Sequence, residues 1–274
     1  MSRAFSVVLA AALAVAVTFL ALPVLAIFLR VPPAELLAQL GDERARDALL
    51  VSLKTSLLAH VLILGIGTPA AYLLANRDFR GRPLVLSLLE LPLVLPPAVA
   101  GLGLLAAFGR TGLLGEELGA LGLSIPFTQL AVVLAICFVA SPFYVRAAVT
   151  AFESVDPMLT GAARTLGAGP IRVFGRIALP LALPALGAGS TLAFARGLGE
   201  FGATIMFAGS FPGRTQTAPL AIYDALDEEF EVALALGALL VVVSAALLLT
   251  VKLVPAWTRS TSPSTTLSAP SASR

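Results

Sequence analysis

Charge and thiols are scarce in this 274-residue chain: 18 basic and 16 acidic residues make up only 12% of it. Ordinary soluble domains carry about 25% charged residues, so the shortage excludes a soluble globule. One cysteine, Cys137, leaves no internal disulfide framework and no cysteine zinc cluster, and the only histidine is His60. A phosphate-binding loop is missing as well. Such a loop needs a glycine-rich turn ahead of Lys-Ser or Lys-Thr, and no glycine lies within six residues before the only Lys-Thr pair, Lys54-Thr55. The chain is therefore not expected to bind or hydrolyse ATP by itself. What is abundant is apolar surface, with 58% hydrophobic residues and a mean hydropathy of +0.96. Low hydrophobicity or a strict glycine period would mark a disordered or fibrous chain, and neither is present. A polytopic membrane protein remains.

Crossing ~30 Å of hydrocarbon as a helix takes about 20 apolar residues. Runs of that kind extend roughly over Phe5 to Leu29, Thr55 to Ala75, Leu84 to Phe108, Phe127 to Val149, Leu181 to Phe207 and Val232 to Val254. They are continuously apolar and rich in Leu and Ala, which predicts an all-α fold of six transmembrane helices rather than alternating barrel strands. The first run has the basic flank of a signal peptide at Arg3 and a cleavable-looking Val24-Leu25-Ala26. Signal cores are shorter, about 7 to 15 residues, so retention as a first span is the expectation.

An N-terminus in the cytoplasm places Arg3, Arg77, Arg80, Arg82, Arg146, Arg164, Arg172, Arg176, Lys252, Arg259 and Arg274 inside, against Arg30, Arg44, Arg46, Lys54, Arg110 and Arg214 outside. Eleven against six satisfies the positive-inside rule with both termini cytoplasmic. Most acids fall outside, including Asp224, Asp227, Glu228, Glu229 and Glu231. Residues 1–257 read as one transmembrane domain. The Ser/Thr/Pro/Ala tail over 258–274 cannot bury a core and is expected to be disordered.

The connection from Thr150 to Pro180 is polar enough to be a loop yet patterned for helix. Asp156 can cap a helix that opens with Pro157, and Gly167 can end it in a left-handed cap. The resulting helix of about ten residues carries Met158, Leu159, Ala162, Ala163 and Leu166 on one face. Two uses are open: an interfacial helix held on headgroups by Arg164, Arg172 and Arg176, or a docking helix for a cytoplasmic partner. Small residues favour docking, because they let another backbone come close.

Gly161-Ala162-Ala163, three residues, Gly167, nine residues, then Ile177-Ala178-Leu179-Pro180 resembles the EAA loop of ABC importer permeases. In that family the loop is the coupling helix that fits a groove of the cytoplasmic ATPase. The resemblance implies contacts from Leu159, Gly161, Ala162, Ala163, Arg164, Thr165, Leu166 and Gly167. Gly161 stands where the family usually has glutamate, so no salt link is implied there. From about Leu49 to Val254 the chain is similar to the molybdate and sulfate group. The matching segments are Glu90-Leu91-Pro92-Leu93-Val94-Leu95-Pro96-Pro97, Ser141-Pro142-Phe143-Tyr144-Val145-Arg146 and Gly199-Glu200-Phe201-Gly202-Ala203-Thr204. Arg214-Thr215-Gln216-Thr217-Ala218-Pro219 looks closer to the molybdate branch than to the sulfate branch. The resemblance implies a homodimer of such chains in the inner or plasma membrane, with an ATPase inside and a periplasmic or extracellular binding protein outside. Membrane lipid surrounds it, and no cofactor, metal or nucleic acid is expected.

Charges inside a bilayer usually face protein or water, which singles out Glu90, Arg196 and Glu200. On a continuous helix Arg196 and Glu200, four apart, share a face and can pair. Either the pair is structural, or it lines or gates a path. Glu90, about seven residues into its run, can snorkel inward or cap a broken helix near Pro92. Ser141, Thr204 and the glycines Gly199 and Gly202 are candidates for transient contacts along a path, and the glycines also allow close helix crossing. Pro96-Pro97 predicts a kink. His60 and Cys137 read as ordinary packing. The competing classes are a proton-coupled carrier that uses Glu90, Arg196 and Glu200 as a relay, and a scaffold with no path.

Overall fold

A computed structural model describes residues 3–30, 32, 34, 38, 41–227 and 229–260, with side chains described to residue 250. Glu228 and most of the tail expectation, residues 261–274, lie outside the described residues. Among the described residues there is no strand; the elements are α1 (Arg3–Arg30), α2 (Glu43–Asn76), α3 (Arg82–Glu90), a 3-10 turn (Leu91–Leu93), α4 (Pro97–Phe108), α5 (Gly115–Ala120), α6 (Gln129–Glu153), α7 (Pro157–Thr165), α8 (Pro170–Leu198), α9 (Gly202–Ala208), α10 (Ala218–Ala225) and α11 (Phe230–Ser260). Of these, α1, α2, α6, α8 and α11 are each long and apolar enough to span a membrane.

The third apolar run is not one straight helix, for α3 with its 3-10 turn meets α4 at a bend of 113°. Pro92, Pro96 and Pro97 supply no amide donors over this stretch, and Pro96 is extended at ψ 133°, so the helical ladder cannot continue through it. The two pieces still join the ends of the bundle. The Arg82 side chain donates to Leu74 O and Glu153 at the end of α6, whereas Phe108 lies on Phe207, whose carbonyl accepts from Phe127 N ahead of α6. The fifth run also differs from its expected bounds. Its helix begins at Pro170, includes a π-helical turn over Phe174–Ala178, and stops at Leu198 rather than Phe207.

Helix α6 is the central column, packed on α2, α4, α8 and α9. Its buried positions, from Ala131 and Val132 through Ala140, Tyr144 and Ala148 to Phe152, run nearly its full length. Helix α2 shows why a helix with few buried residues is stable here. Ala45, Ala48, Ser52, Thr55, Ala59, Ile63, Gly67, Ala71 and Leu74 recur at helical spacing and face the bundle, while Leu50, Leu57, Val61 and Ile66 point outward as lipid expects. Small residues on the inner face bring the helices close. A Cβ on Gly67 would stand 2.9 Å from the Tyr144 ring, whose hydroxyl is hydrogen-bonded with Thr68 Oγ1 at 2.6 Å. Near the end of α1, Ile27 and Phe28 lie on Ala235 and Ala238 of α11.

Candidate functional site

Helix α7 follows the end of α6 and precedes α8. Asp156 Oδ1 accepts from Met158 N at 2.8 Å, Pro157 takes the first position, and Gly167 closes the helix at φ +83° with Ala168 N donating to Ala163 O. These caps satisfy end groups that no neighbour reaches, which allows nine residues to hold a helix with none of them buried. Leu166 is 88% exposed and Met158 78%, while Leu159, Ala162, Arg164, Thr165 and Gly167 are also exposed; Gly161 and Ala163 are partly covered. A Cβ at Gly161 would meet no atom of the chain, so its small size is not required by internal packing. The helix thus presents its apolar side outward from the bundle.

An aromatic group joins three helices next to α7. Tyr72 of α2 lies 5.2 Å from Phe152 of α6 and 4.7 Å from Phe174, the first residue of the π-helical turn. Helices α2, α6 and α8 thus meet at one point, and the π-helical turn also touches α7. A π-helical turn is a local irregularity in the hydrogen-bond ladder, and such turns often mark functional positions.

Glu90, Arg196 and Glu200, the charges singled out within the apolar runs, fall into two ion pairs. Arg196 Nη2 meets Glu200 Oε2 at 2.7 Å, with the Glu200 side chain 1% exposed and the Arg196 side chain 30% exposed. The pair exists, but not on a continuous helix: α8 ends at Leu198, two residues before Glu200. Glu200 Oε1 also accepts from Ala203 N at 2.8 Å, so the carboxylate caps α9 while it neutralises Arg196. Glu90, the last residue of α3, faces Arg146 Nε at 3.7 Å. Arg146 sits inside α6, within the fourth apolar run, with its side chain 67% exposed. Arg82 with Glu153 is a further pair, at the end of α6, that the sequence did not suggest.

Of the remaining candidates, Gly202 makes the close crossing expected of it, since a Cβ there would fall 2.5 Å from Pro97 Cβ. Gly101 does the same from α4, where a Cβ would fall 2.6 Å from Met206 Cβ. Gly199 does not: a Cβ would meet only Ala195 O at 3.9 Å. Ser141 is half-buried in α6. Thr204 is fully buried in α9, and its Oγ1 has no partner among the described residues, so its hydroxyl is enclosed rather than offered to a surface. His60 Nε2 is hydrogen-bonded with Ser190 Oγ at 2.8 Å and its ring stands edge-on to Phe194, while Cys137 Sγ donates to Ala59 O.

Near the start of α2, Ser52 Oγ accepts from Ala218 N at 2.6 Å and ties α10 to α2. Asp224 Oδ2 accepts from Ser210 Oγ and Gln216 Nε2, and Arg44 pairs with Glu229 at 3.2 Å. Arg44, Ser210, Gln216, Asp224 and Glu229 border a recess of about 390 Å³.

Residues 63–260 match the family of binding-protein-dependent transport system inner membrane components. The chain is 47% identical over 237 residues, 85% of this chain and 88% of the other, to the molybdenum transport system permease protein ModB of Mycobacterium tuberculosis. It is 49% identical over 178 residues, 65% of this chain and 78% of the other, to ModB of Escherichia coli. Among solved structures, a bacterial alginate ABC transporter in complex with its alginate-bound periplasmic protein contains a chain that superimposes with a TM-score of 0.69 at 16% identity, over 90% of this chain and 92% of that one. The MetNI methionine ABC transporter gives 0.57 at 18% identity, over 76% and 92%. At these identities the structural likeness is one of fold.

Proposed function

The chain belongs to the binding-protein-dependent transport system inner membrane components, and on that premise we propose that it is the permease subunit of an ATP-driven importer whose substrate is molybdate or the chemically similar tungstate. The observation that carries the reading is α7: a helix capped at both ends, buried nowhere and projecting its apolar side, in a chain of this family. Substrate identity is supported by relatives at 42% to 49% identity that are named molybdenum permeases.

Two copies form the path, residues 1–257 of each acting as one permease domain with both termini in the cytoplasm. An ATPase subunit docks on each α7 through Leu159, Gly161, Ala162, Ala163, Arg164, Thr165, Leu166 and Gly167. A binding protein delivers the anion at the outer end. ATP-driven closure of the two ATPases moves α7, and the Tyr72, Phe152 and Phe174 contact passes that movement to the spanning helices. Glu90, Arg196 and Glu200 border the path, with Ser141 and Gly199 near it; Gly202 sets the α4–α9 contact beside it. No covalent bond is made or broken by this chain, and ATP hydrolysis takes place in the partner. The test is stimulation: purified with its ATPase, the complex hydrolyses ATP faster when the binding protein is loaded with molybdate than when it is empty. Equal hydrolysis with loaded, empty and absent binding protein contradicts the proposal.

A further inference from the structure

Two arginines reach the same side of α6 at successive heights, with two apolar side chains between them. Arg196 borders a cavity of about 150 Å³ together with Pro92, Leu93, Val139 and Phe143. Arg146 borders a groove of about 850 Å³ that starts at the same Leu93 and Phe143 and continues past Ala147 and Thr150 to Ser154 at the inner end of α6. Val139 precedes Phe143 on α6 and Arg146 follows it by three residues, about 4.5 Å of rise, so the two spaces follow one another along the helix.

Neither guanidinium is used up by its carboxylate. Glu200 takes one Nη2 of Arg196 at 2.7 Å, and Glu90 approaches Arg146 Nε only to 3.7 Å, an ion-pair distance too long for a hydrogen bond. Neither arginine has a second acidic partner among the described residues. An arginine fork presents five donors in a plane, which suits the oxygens of a tetrahedral oxyanion. At the more enclosed Arg196 an unopposed guanidinium would hold a dianion too firmly for release, and the Glu200 carboxylate weakens that hold; at Arg146, whose side chain is 67% exposed beside a 42% exposed Glu90, solvent weakens it as well.

We propose that Arg196 and Arg146 are successive stations for the oxyanion and that Leu93 and Phe143 are the apolar barrier between them. The proposal rests on the importer reading above and adds Arg146 as a residue that touches substrate. At the outer station the anion competes with Glu200 for Arg196, and Glu200 is not left bare because Ala203 N continues to donate to it. At the inner station Glu90 repels the anion toward the wider groove. Leu93 lies directly before the break in the third span, so it shifts relative to Phe143 when α3 and α4 change their angle.

The whole transporter, reconstituted in proteoliposomes with its ATPase and binding protein, provides the test, with radiolabelled molybdate uptake and ATP hydrolysis read in the same vesicles. Arg146→Gln lowers the molybdate taken up per ATP hydrolysed roughly tenfold, the order expected for losing one charge-assisted contact. Glu90→Gln combined with Arg146→Gln removes both charges and leaves no unpaired carboxylate, and it shows the same fall in uptake per ATP. Normal uptake in Arg146→Gln overturns the proposal. If Arg146→Gln does not assemble, the double variant decides: restored uptake there makes the pair a structural latch and overturns the relay. A reconstituted but unsubstituted transporter that hydrolyses ATP yet takes up neither molybdate nor tungstate removes the importer reading itself, a failure distinct from loss of the second station alone.

Discussion

Replacing Arg196 with methionine strands the Glu200 carboxylate, whose side chain is 1% exposed, with Ala203 N as its remaining hydrogen-bond donor. Breaking a buried ion pair from one side typically costs ~3–5 kcal/mol. The lower end applies here, because Arg196 is itself 30% exposed and the amide bond to Glu200 survives. Glu200→Leu removes the same pair and also the cap of α9, a loss of about 1 kcal/mol by itself. In the double variant the pair is gone from both sides and only the cap is missing, so the total cost falls to about 1 kcal/mol, well below the sum of the singles. Glu200→Gln is the informative control, since its side-chain oxygen can still accept from Ala203 N. Thermal unfolding of the detergent-solubilised permease measures all four proteins. Recovered stability with recovered uptake makes the pair structural; recovered stability without uptake places the charges in the path. A double variant as unstable as the sum of its singles refutes the reasoning, because the two side chains then do not interact.

Ala162→Glu, on the exposed side of α7, is expected to abolish ATPase association in pull-downs while leaving insertion and unfolding temperature unchanged; normal association and uptake would support a helix that rests on headgroups. Gly202→Ala forces a methyl group to within 2.5 Å of Pro97 Cβ and should destabilise the permease by about 1–3 kcal/mol, whereas Gly199→Ala, with open space at 3.9 Å, should change its thermal midpoint little. The purified chain without partners is expected to show no ATP turnover, and co-expression with the ATPase to give a complex of two permeases and two ATPases, as read by native mass.

Much of this architecture was legible because its signals are local. The caps of α7, Asp156 and Gly167, lie eleven residues apart and each acts through its own backbone surroundings, so spacing alone located the helix. Hydropathy found the spans but is indifferent to continuity. Leu84 to Phe108 and Leu181 to Phe207 are predominantly apolar, yet one bends by 113° and the other's helix ends at Leu198. Pro96-Pro97 marked the first break as a kink without its angle, which depends on how α4 packs against α9 through Gly101 and Gly202, about a hundred residues away. The cap on α9 was hidden for a related reason. Glu200 reads as a helical partner of Arg196 until the end of α8 is known, and only then as the acceptor for Ala203 N. The pairing of Arg146 with Glu90 was obscured because charge counting sorts basic residues by side and does not join them to acids far along the chain.

In the proposed cycle ATP drives an oxyanion across this chain. Radiolabelled molybdate uptake into proteoliposomes holding the permease and its ATPase, with binding protein outside and ATP inside, tests it most directly. Accumulation that requires ATP and the ATPase and persists when a protonophore collapses the proton gradient is the predicted result. Accumulation by the permease alone that disappears with the proton gradient would contradict it.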